Sequence, residues 1–421
     1  MFRRIFLLLL VLCPLFAAAA DEPASPLSQS MFEKYSPGIL QVRVLERRSS
    51  TKSSIGSGFL VSDDGRVVTN YHVISKVVFD IDKYRLDVVD REGNSYAASV
   101  RGLDVVHDVA VIQVLGFKGT VLPSQCKELA QGEHLFSFGN PHDLGTTVVE
   151  GIYNGNVEYS LFDRLHFTGS INPGMSGGPV FTSDGRLAGV NVATSGEQIS
   201  FLVPCKYASA LIVPPGGQSP GDLVQMTTAQ LTEYQDSALT PLFQAPLRTS
   251  SLGEYSVPSH FFPSLKCWSK SEDITQGKYS YLNHQCTGEH EIFVDEDVSA
   301  GSIYAYYTLV NSSQLNEFQF ADLVEGMLQR FTSGGDGSSD FVTNYRCTSD
   351  FVRRDKLMLR VQTCIRAHKR LSGLYDTVVV FDSFDSSQSS LLGYFAAMGV
   401  SFKNAEQLGR AIIGGVSRRG V

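Results

Sequence analysis

Between Gly38 and Pro204 the chain is a succession of short apolar runs, and no other feature limits its fold as strongly. They read ILQVRVLE, GSGFLVS, RVVTNYHVI, RLDVVD, DVAVIQV, HLFSFG, LAGVNVA and QISFLVP. Turn signals bound them: Asp64-Gly65, Glu92-Gly93, Asn140-Pro141, Asp184-Gly185 and Ser195-Gly196. Val-, Ile- and Phe-rich runs separated by such pairs read as strands. Many short strands with few helical patterns between them predict an all-β barrel or sandwich.

The stretch Pro214-Pro215-Gly216-Gly217-Gln218-Ser219-Pro220-Gly221 resists both helix and sheet, so residues 214–224 are expected to form a linker after a first domain over 31–213. The remainder, 225–421, changes character. SIYAYYTLV, KLMLRVQTC and YDTVVVFDS read as strands. LNEFQFADLVEGMLQRF reads as an amphipathic helix with Phe318, Leu323, Met327 and Phe331 at helical spacing. SLLGYFAAMG and NAEQLGRAIIGGV also read as helical. That mixture predicts an α+β accessory domain, with Gly334–Ser339 as a loop.

The first twenty residues combine Arg3 and Arg4, an apolar run from Ile5, and Ala18-Ala19-Ala20 before Asp21. A basic start, a short apolar stretch and small residues at a cleavage point form a secretory signal peptide over 1–20. The run contains Pro14 and falls short of the ~20 residues a spanning helix needs. A periplasmic or secreted location is therefore expected. Beyond Cys13 there are six cysteines, and an even number in an exported chain points to disulfides. Neighbours along the chain give Cys267–Cys286 and Cys347–Cys364, leaving Cys126 with Cys205. Neither a CxxC pair nor a His/Cys spacing suited to zinc is present, so no metal and no other cofactor is expected. Over 421 residues the formal charge is −8. An acidic chain without a basic block lacks the phosphate contacts on which nucleic-acid affinity rests.

Three motifs occur in the order His, Asp, Ser. Gly56-Ser57-Gly58-Phe59-Leu60-Val61 leads to Thr69-Asn70-Tyr71-His72-Val73; next comes Asp104-Val105-Val106-His107-Asp108-Val109-Ala110-Val111; last is Ile171-Asn172-Pro173-Gly174-Met175-Ser176-Gly177-Gly178-Pro179. With Gly139-Asn140-Pro141 and Gly185–Asn191, they make residues 31–210 resemble the trypsin-fold serine endopeptidases, and within them the HtrA (DegP/Do-like) branch. The resemblance implies an all-β double-barrel trypsin-like protease domain followed by the α+β C-terminal domain. It also implies His72 as general base and acid, Asp108 as orienting carboxylate and Ser176 as nucleophile.

The residue types suit that chemistry. A serine hydroxyl is a weak nucleophile until a base takes its proton, and imidazole titrates near neutral pH. A carboxylate on the far ring nitrogen fixes the tautomer. Backbone N–H groups of Gly174 and Ser176 are the expected oxyanion donors, each contributing on the order of 3 kcal/mol; glycine tolerates the φ > 0 that such a turn demands. Met175 stands where pancreatic-type enzymes have Asp and the HtrA branch has Asn, so pairing with a newly cut N-terminus is absent. Ser170, six residues before the nucleophile, is uncharged, which argues against cleavage after Lys or Arg. By resemblance Ile171 forms a pocket wall, and Val192 to Thr194 pair with substrate backbone. Cleavage after small or medium aliphatic residues is expected.

Other residues read more plainly. His107 adjoins Asp108, but neighbours on an extended strand face opposite ways, so only one serves a site; Asp104 reads as a turn residue. His134, His142 and His166 read as surface residues, His290 as part of a solvated edge, and Asn311-Ser312-Ser313 as a glycosylation sequon. Phe32 and Tyr35 read as core in preference to trimer contacts, and the oligomeric state stays open. No Gly-hydrophobic-Gly carboxylate loop follows Pro214, so PDZ-based capture is not carried over. Two functions remain: an endopeptidase acting on exported, unfolded polypeptides in quality control, and a non-catalytic chaperone or binding protein on a protease-like scaffold.

Overall fold

The computed structural model describes residues 26–194, 196, 198–212, 222–273, 278–288, 291–332, 340–354, 357–384 and 386–419. The expected signal peptide, the Pro214–Gly221 stretch, His290 and Gly334–Ser339 lie outside the described residues.

Helix α1 (Pro26–Tyr35) leads into six strands: β1 (Ile39–Glu46), β2 (Lys52–Leu60), β3 (Arg66–Thr69), β4 (Tyr84–Val89), β5 (Ser95–Asp104) and β6 (Val109–Val114). They close into an antiparallel barrel in the order β1-β2-β3-β6-β5-β4. Helix α2 (Tyr71–Phe79) lies between β3 and β4. The run RVVTNYHVI is thus strand and then helix: β3 ends at Thr69, and Tyr71, Val73, Ile74, Val77 and Val78 bury one helical face. A second closed barrel, β10-β11-β12-β9-β8-β7, is built from β7 (His134–Gly139), β8 (Thr147–Asn156), β9 (Leu165–Phe167), β10 (Pro179–Thr182), β11 (Leu187–Thr194) and β12 (Ser200–Pro204). Closure removes free sheet edges. Tyr35 is core, stacked on Phe181 with ring centroids 4.6 Å apart, while Phe32 is half-buried.

Helix α3 (Cys205–Ile212) ends the second barrel and α4 (Leu223–Leu239) opens the rest of the chain. The Asp222 carboxylate caps α4, accepting from Val224 N at 2.9 Å and Gln225 N at 3.2 Å. Helix therefore begins inside the span expected to be linker. Next come β13 (Thr249–Leu252), β14 (Tyr255–Pro258), β15 (Leu265–Asp273), β16 (Ser280–Gly288), β17 (Ile292–Asp295), β18 (Val298–Ala300), β19 (Ile303–Asn311), α5 (Glu317–Thr332), β20 (Arg346–Arg354), β21 (Leu357–Ala367), β22 (Leu374–Ser383), β23 (Ser389–Ser401), α6 (Phe402–Gly415) and β24 (Ser417–Arg418). Seven of these strands form an antiparallel sheet, β15-β16-β19-β23-β22-β21-β20; β17 and β18 form a separate two-stranded ribbon.

Two further expectations need correction. SLLGYFAAMG is not helical; it lies in β23, between β19 and β22 and buried on both faces. A continuous apolar run fits a doubly covered strand as well as a buried helix. On α5 the apolar stripe is Phe320, Val324 and Leu328, each less than 8% exposed, whereas Phe318 points to solvent. Leu323 and Met327 flank the stripe; the side chain of Phe331 lies outside the described residues.

All three expected disulfides are present, Cys126–Cys205, Cys267–Cys286 and Cys347–Cys364. The last two join residues directly opposite on paired strands. Among the described residues no helix is long and apolar enough to cross a membrane.

The first barrel and the C-terminal half share one core. Val73, Ile74 and Val77 of α2 cluster with Leu231 of α4 and with Ile292, Val294, Val298 and Ala300 of the ribbon. Polar bonds fix the contact: the buried Tyr71 hydroxyl donates to Val294 O at 2.9 Å, and Gln230 bonds both Leu103 O (2.7 Å) and Val105 N (2.9 Å).

Candidate active site

The three motif residues come from three different turns. His72 is the second residue of α2. Asp108 lies at the end of the turn joining β5 to β6, at φ +61°. Its Oδ2 is 2.8 Å from His72 Nδ1, and its Oδ1 accepts from the His72 backbone N–H, also at 2.8 Å. The first contact requires the ring proton on Nδ1, which leaves Nε2 as a base. Asn70 donates to Asp108 O at 2.7 Å.

His107 and Asp104 form a second pair, with Nδ1 to Oδ2 at 2.7 Å and the His107 N–H donating to Oδ1 at 3.0 Å. Residues 105–108 are a turn and not a strand. The strand-based reason for separating His107 from Asp108 therefore does not apply; what separates them is that each carries its own partner. Asp104 ends β5 and holds this turn, and the His107 ring stacks on Tyr207 at 3.5 Å.

Ser176 sits in the turn before β10. Its Oγ donates to Val192 O at 2.9 Å, not to His72. The turn is tightly framed. Ser57 donates from N to Ser176 O (2.7 Å) and from Oγ to Gly174 O (2.7 Å). Buried Asn191 donates from Nδ2 to Phe138 O (2.8 Å), and its backbone bonds both Gly177 and Gly178. Gly174 and Gly177 have φ of +97° and +87°, and a Cβ on Gly177 would overlap the Ser57 carbonyl oxygen. His142 N donates to Pro173 O at 2.9 Å. A trans peptide then turns the Gly174 N–H the opposite way. Neither Gly174 N nor Ser176 N takes part in a backbone hydrogen bond among the described residues, which leaves both amides free to serve as donors.

Met175 is fully buried in the second-barrel core, a setting that suits its apolar side chain. Ile171 is buried beside it, its N–H donating to Ser200 Oγ at 3.2 Å. Val192 is half-buried; the side chain of Thr194 lies outside the described residues. His142 is exposed and His134 pairs with Glu150 at 3.3 Å. His166 is not a surface residue: it is half-buried on β9, and its buried Nε2 has no hydrogen-bond partner among the described residues.

The motifs did not reveal Arg164. It is 8% exposed and has no carboxylate partner among the described ion pairs; its NH1 donates to His107 O at 3.4 Å. Burial pushes its pKa down to about 10, while the nearby Asp108 charge opposes the shift. A lone Arg between two strand runs carries no sequence signal of such burial.

A second Ser–His contact exists far along the chain. Ser259 Oγ lies 2.8 Å from His284 Nε2, and Ser269 Oγ 2.8 Å from Nδ1. Both Ser259 and His284 are buried, and among the described residues no carboxylate hydrogen-bonds to either. Burial, then the charge of His260, lowers the His284 pKa from its ordinary 6.5. The unfolded chain takes up this proton first as pH falls. The stability His284 contributes is thus complete above pH ~6.5 and is lost as pH drops through its lower folded value. Melting curves at pH 7.5 and 5.0 are expected to show a smaller drop in Tm for His284→Gln than for the wild type; equal drops would contradict this.

Two closed antiparallel barrels with these motifs at their junction have the architecture of the trypsin fold, and residues 56–190 match the trypsin-like peptidase domain family model. The chain is similar to serine protease HTRA1 of Xenopus laevis, 32% identical over 186 residues, 41% of this chain and 39% of that protein. The probable periplasmic serine endoprotease DegP-like of Chlamydia pneumoniae is 35% identical over 181 residues, 40% of this chain and 35% of that protein. The crystal structure of the serine endoprotease from Yersinia pestis aligns with TM-score 0.38 and 28% identity, covering 44% of this chain and 65% of that one. The chain thus spans about two fifths of the length of the curated relatives it matches.

Proposed function

We propose that the chain is a periplasmic or secreted serine endopeptidase that cleaves unfolded exported polypeptides in protein quality control. Residues 31–213 would form the protease, 225–421 an accessory domain, and 1–20 a signal peptide. The observation that carries the reading is the His72–Asp108 contact at 2.8 Å beside the Ser176 turn. A relative named as a probable periplasmic serine endoprotease supports the location and the endopeptidase reading.

In this mechanism the substrate lies extended along β11, and the N–H of the residue giving the scissile carbonyl takes the Val192 carbonyl. That displaces the Ser176 hydroxyl, which rotates toward His72 Nε2. His72 accepts its proton as Oγ bonds to the carbonyl carbon, and Asp108 stabilises the imidazolium. The oxyanion rests on Gly174 N and Ser176 N. His72 then protonates the leaving amine, and water attacks the acyl-enzyme by the same route in reverse. Ile171 and the Val192–Thr194 edge would set the substrate position.

The Ser176–Val192 hydrogen bond also favours a second reading, a latent scaffold that binds clients without cleaving them. A peptide library read by mass spectrometry separates the two. Cleavage after small or medium aliphatic residues is expected. Dominant cleavage after Lys or Arg would refute the specificity, and tight binding without cleavage would favour the scaffold.

A further inference from the structure

The cleft beside His72 has a wall that the two barrels do not provide. A cavity of about 370 Å³ is lined by His72, Val105, Phe162 and Val192 of the protease half and by Phe293 and Glu291 of the C-terminal half. The Phe293 ring meets the His72 imidazole edge to face, centroids 6.0 Å apart. Its placement follows from strand alternation: Ile292 and Val294 are buried in the core shared with α2, so Phe293 between them faces the cleft. The ribbon is firmly held, by Tyr71 on Val294 O and by Lys76 Nζ 2.9 Å from Glu296 Oε1. One oxygen of the exposed Glu291 carboxylate, Oε2, accepts from the hydroxyls of Ser299 (2.7 Å) and Ser302 (3.1 Å).

A substrate paired with β11 would alternate its side chains. If the cleaved residue turns toward Ile171, the residue before it turns toward His72 and enters this cavity. We infer that the β17–β18 ribbon forms one wall of the pocket for the residue preceding the cleaved one, and that the pocket selects a bulky apolar side chain of the Leu or Phe class. The inference rests on the peptidase reading and makes the C-terminal half a specificity determinant. The apolar choice follows from the walls: Val105, Val106, Phe162, Val192, Phe201 and Phe293 make up most of the lining, Glu291 is held through Oε2 by two hydroxyls, and buried Arg164 sits in the field of Asp108.

The test uses the full-length protein and peptides varied only at that position, with kcat/KM measured for wild type, Phe293→Ala and Phe293→Trp. The wild type is expected to prefer Phe or Leu over Gly by tenfold or more, the range a filled apolar pocket gives. Phe293→Ala should lower that ratio at least fivefold. Phe293→Trp, which fills the space, should shift preference toward Ala and Gly, so the wall remains testable even if the alanine variant fails to fold. An unchanged ratio in a folded variant, no preference in the wild type, or a preference for acidic residues would overturn the inference while leaving the peptidase reading intact. A wild type that neither cleaves nor reacts with a fluorophosphonate would overturn the peptidase reading itself, and this inference with it.

Discussion

Ser176→Ala is expected to lower peptide hydrolysis by on the order of 10⁶-fold and to leave the fold in place. The hydroxyl makes one described hydrogen bond, to Val192 O. The turn itself is held by backbone and neighbouring side chains: Ser57 N on Ser176 O, Ser57 Oγ on Gly174 O, and Asn191 behind. Losing one partly exposed hydrogen bond costs about 1 kcal/mol or less, so the melting temperature should move by only a few degrees. Kinetics with a peptide substrate and a thermal melt on the same sample check both halves. Activity within tenfold of wild type would defeat the assignment of Ser176; lost activity with a collapsed melt would leave catalysis and folding confounded, and Ser176→Cys then supplies the folded comparison.

Asp108→Asn is expected to lower kcat by on the order of 10⁴-fold. The carboxylate accepts twice from His72, once from the ring and once from the backbone. An amide can keep one of these bonds. If its NH₂ faces Nδ1, the imidazole must accept there and carry its proton on Nε2, where it cannot take the Ser176 proton. The effect therefore comes from the wrong tautomer more than from lost charge. Because the residues act as a unit, Asp108→Asn combined with Ser176→Ala should be no slower than Ser176→Ala alone. Additive losses would mean that Asp108 acts elsewhere, for example on Arg164.

The sequence made the first half readable because each barrel strand is short, apolar and closed by a turn pair, and because the motifs around His72, Asp108 and Ser176 carry their spacing with them. Two of the disulfide pairs were legible from chain proximity, which the register of β15 with β16 and β20 with β21 explains, and the third followed as the remaining pair. Three features escaped. Tyr71 and Val73 look alike in a strand and in a short helix, so α2 was hidden inside an apolar run. Leu391, Leu392, Phe395 and Ala396 suit a helix by composition, yet covering on both faces of the sheet makes them strand. The third is the joint between halves. Ile292, Phe293 and Val294 are an unremarkable apolar triplet until α2 is placed beneath them, and only then does Phe293 face the cleft. Local patterns do not encode contacts between residues more than two hundred positions apart, such as Tyr71 and Val294.

The most direct test of the account is covalent. Full-length protein is treated with a fluorophosphonate, digested, and mapped by tandem mass spectrometry, with Ser176→Ala as control. One adduct on Ser176, absent from the control, is the predicted result. No adduct on a folded protein, or an adduct on Ser259 beside His284 instead, would contradict it.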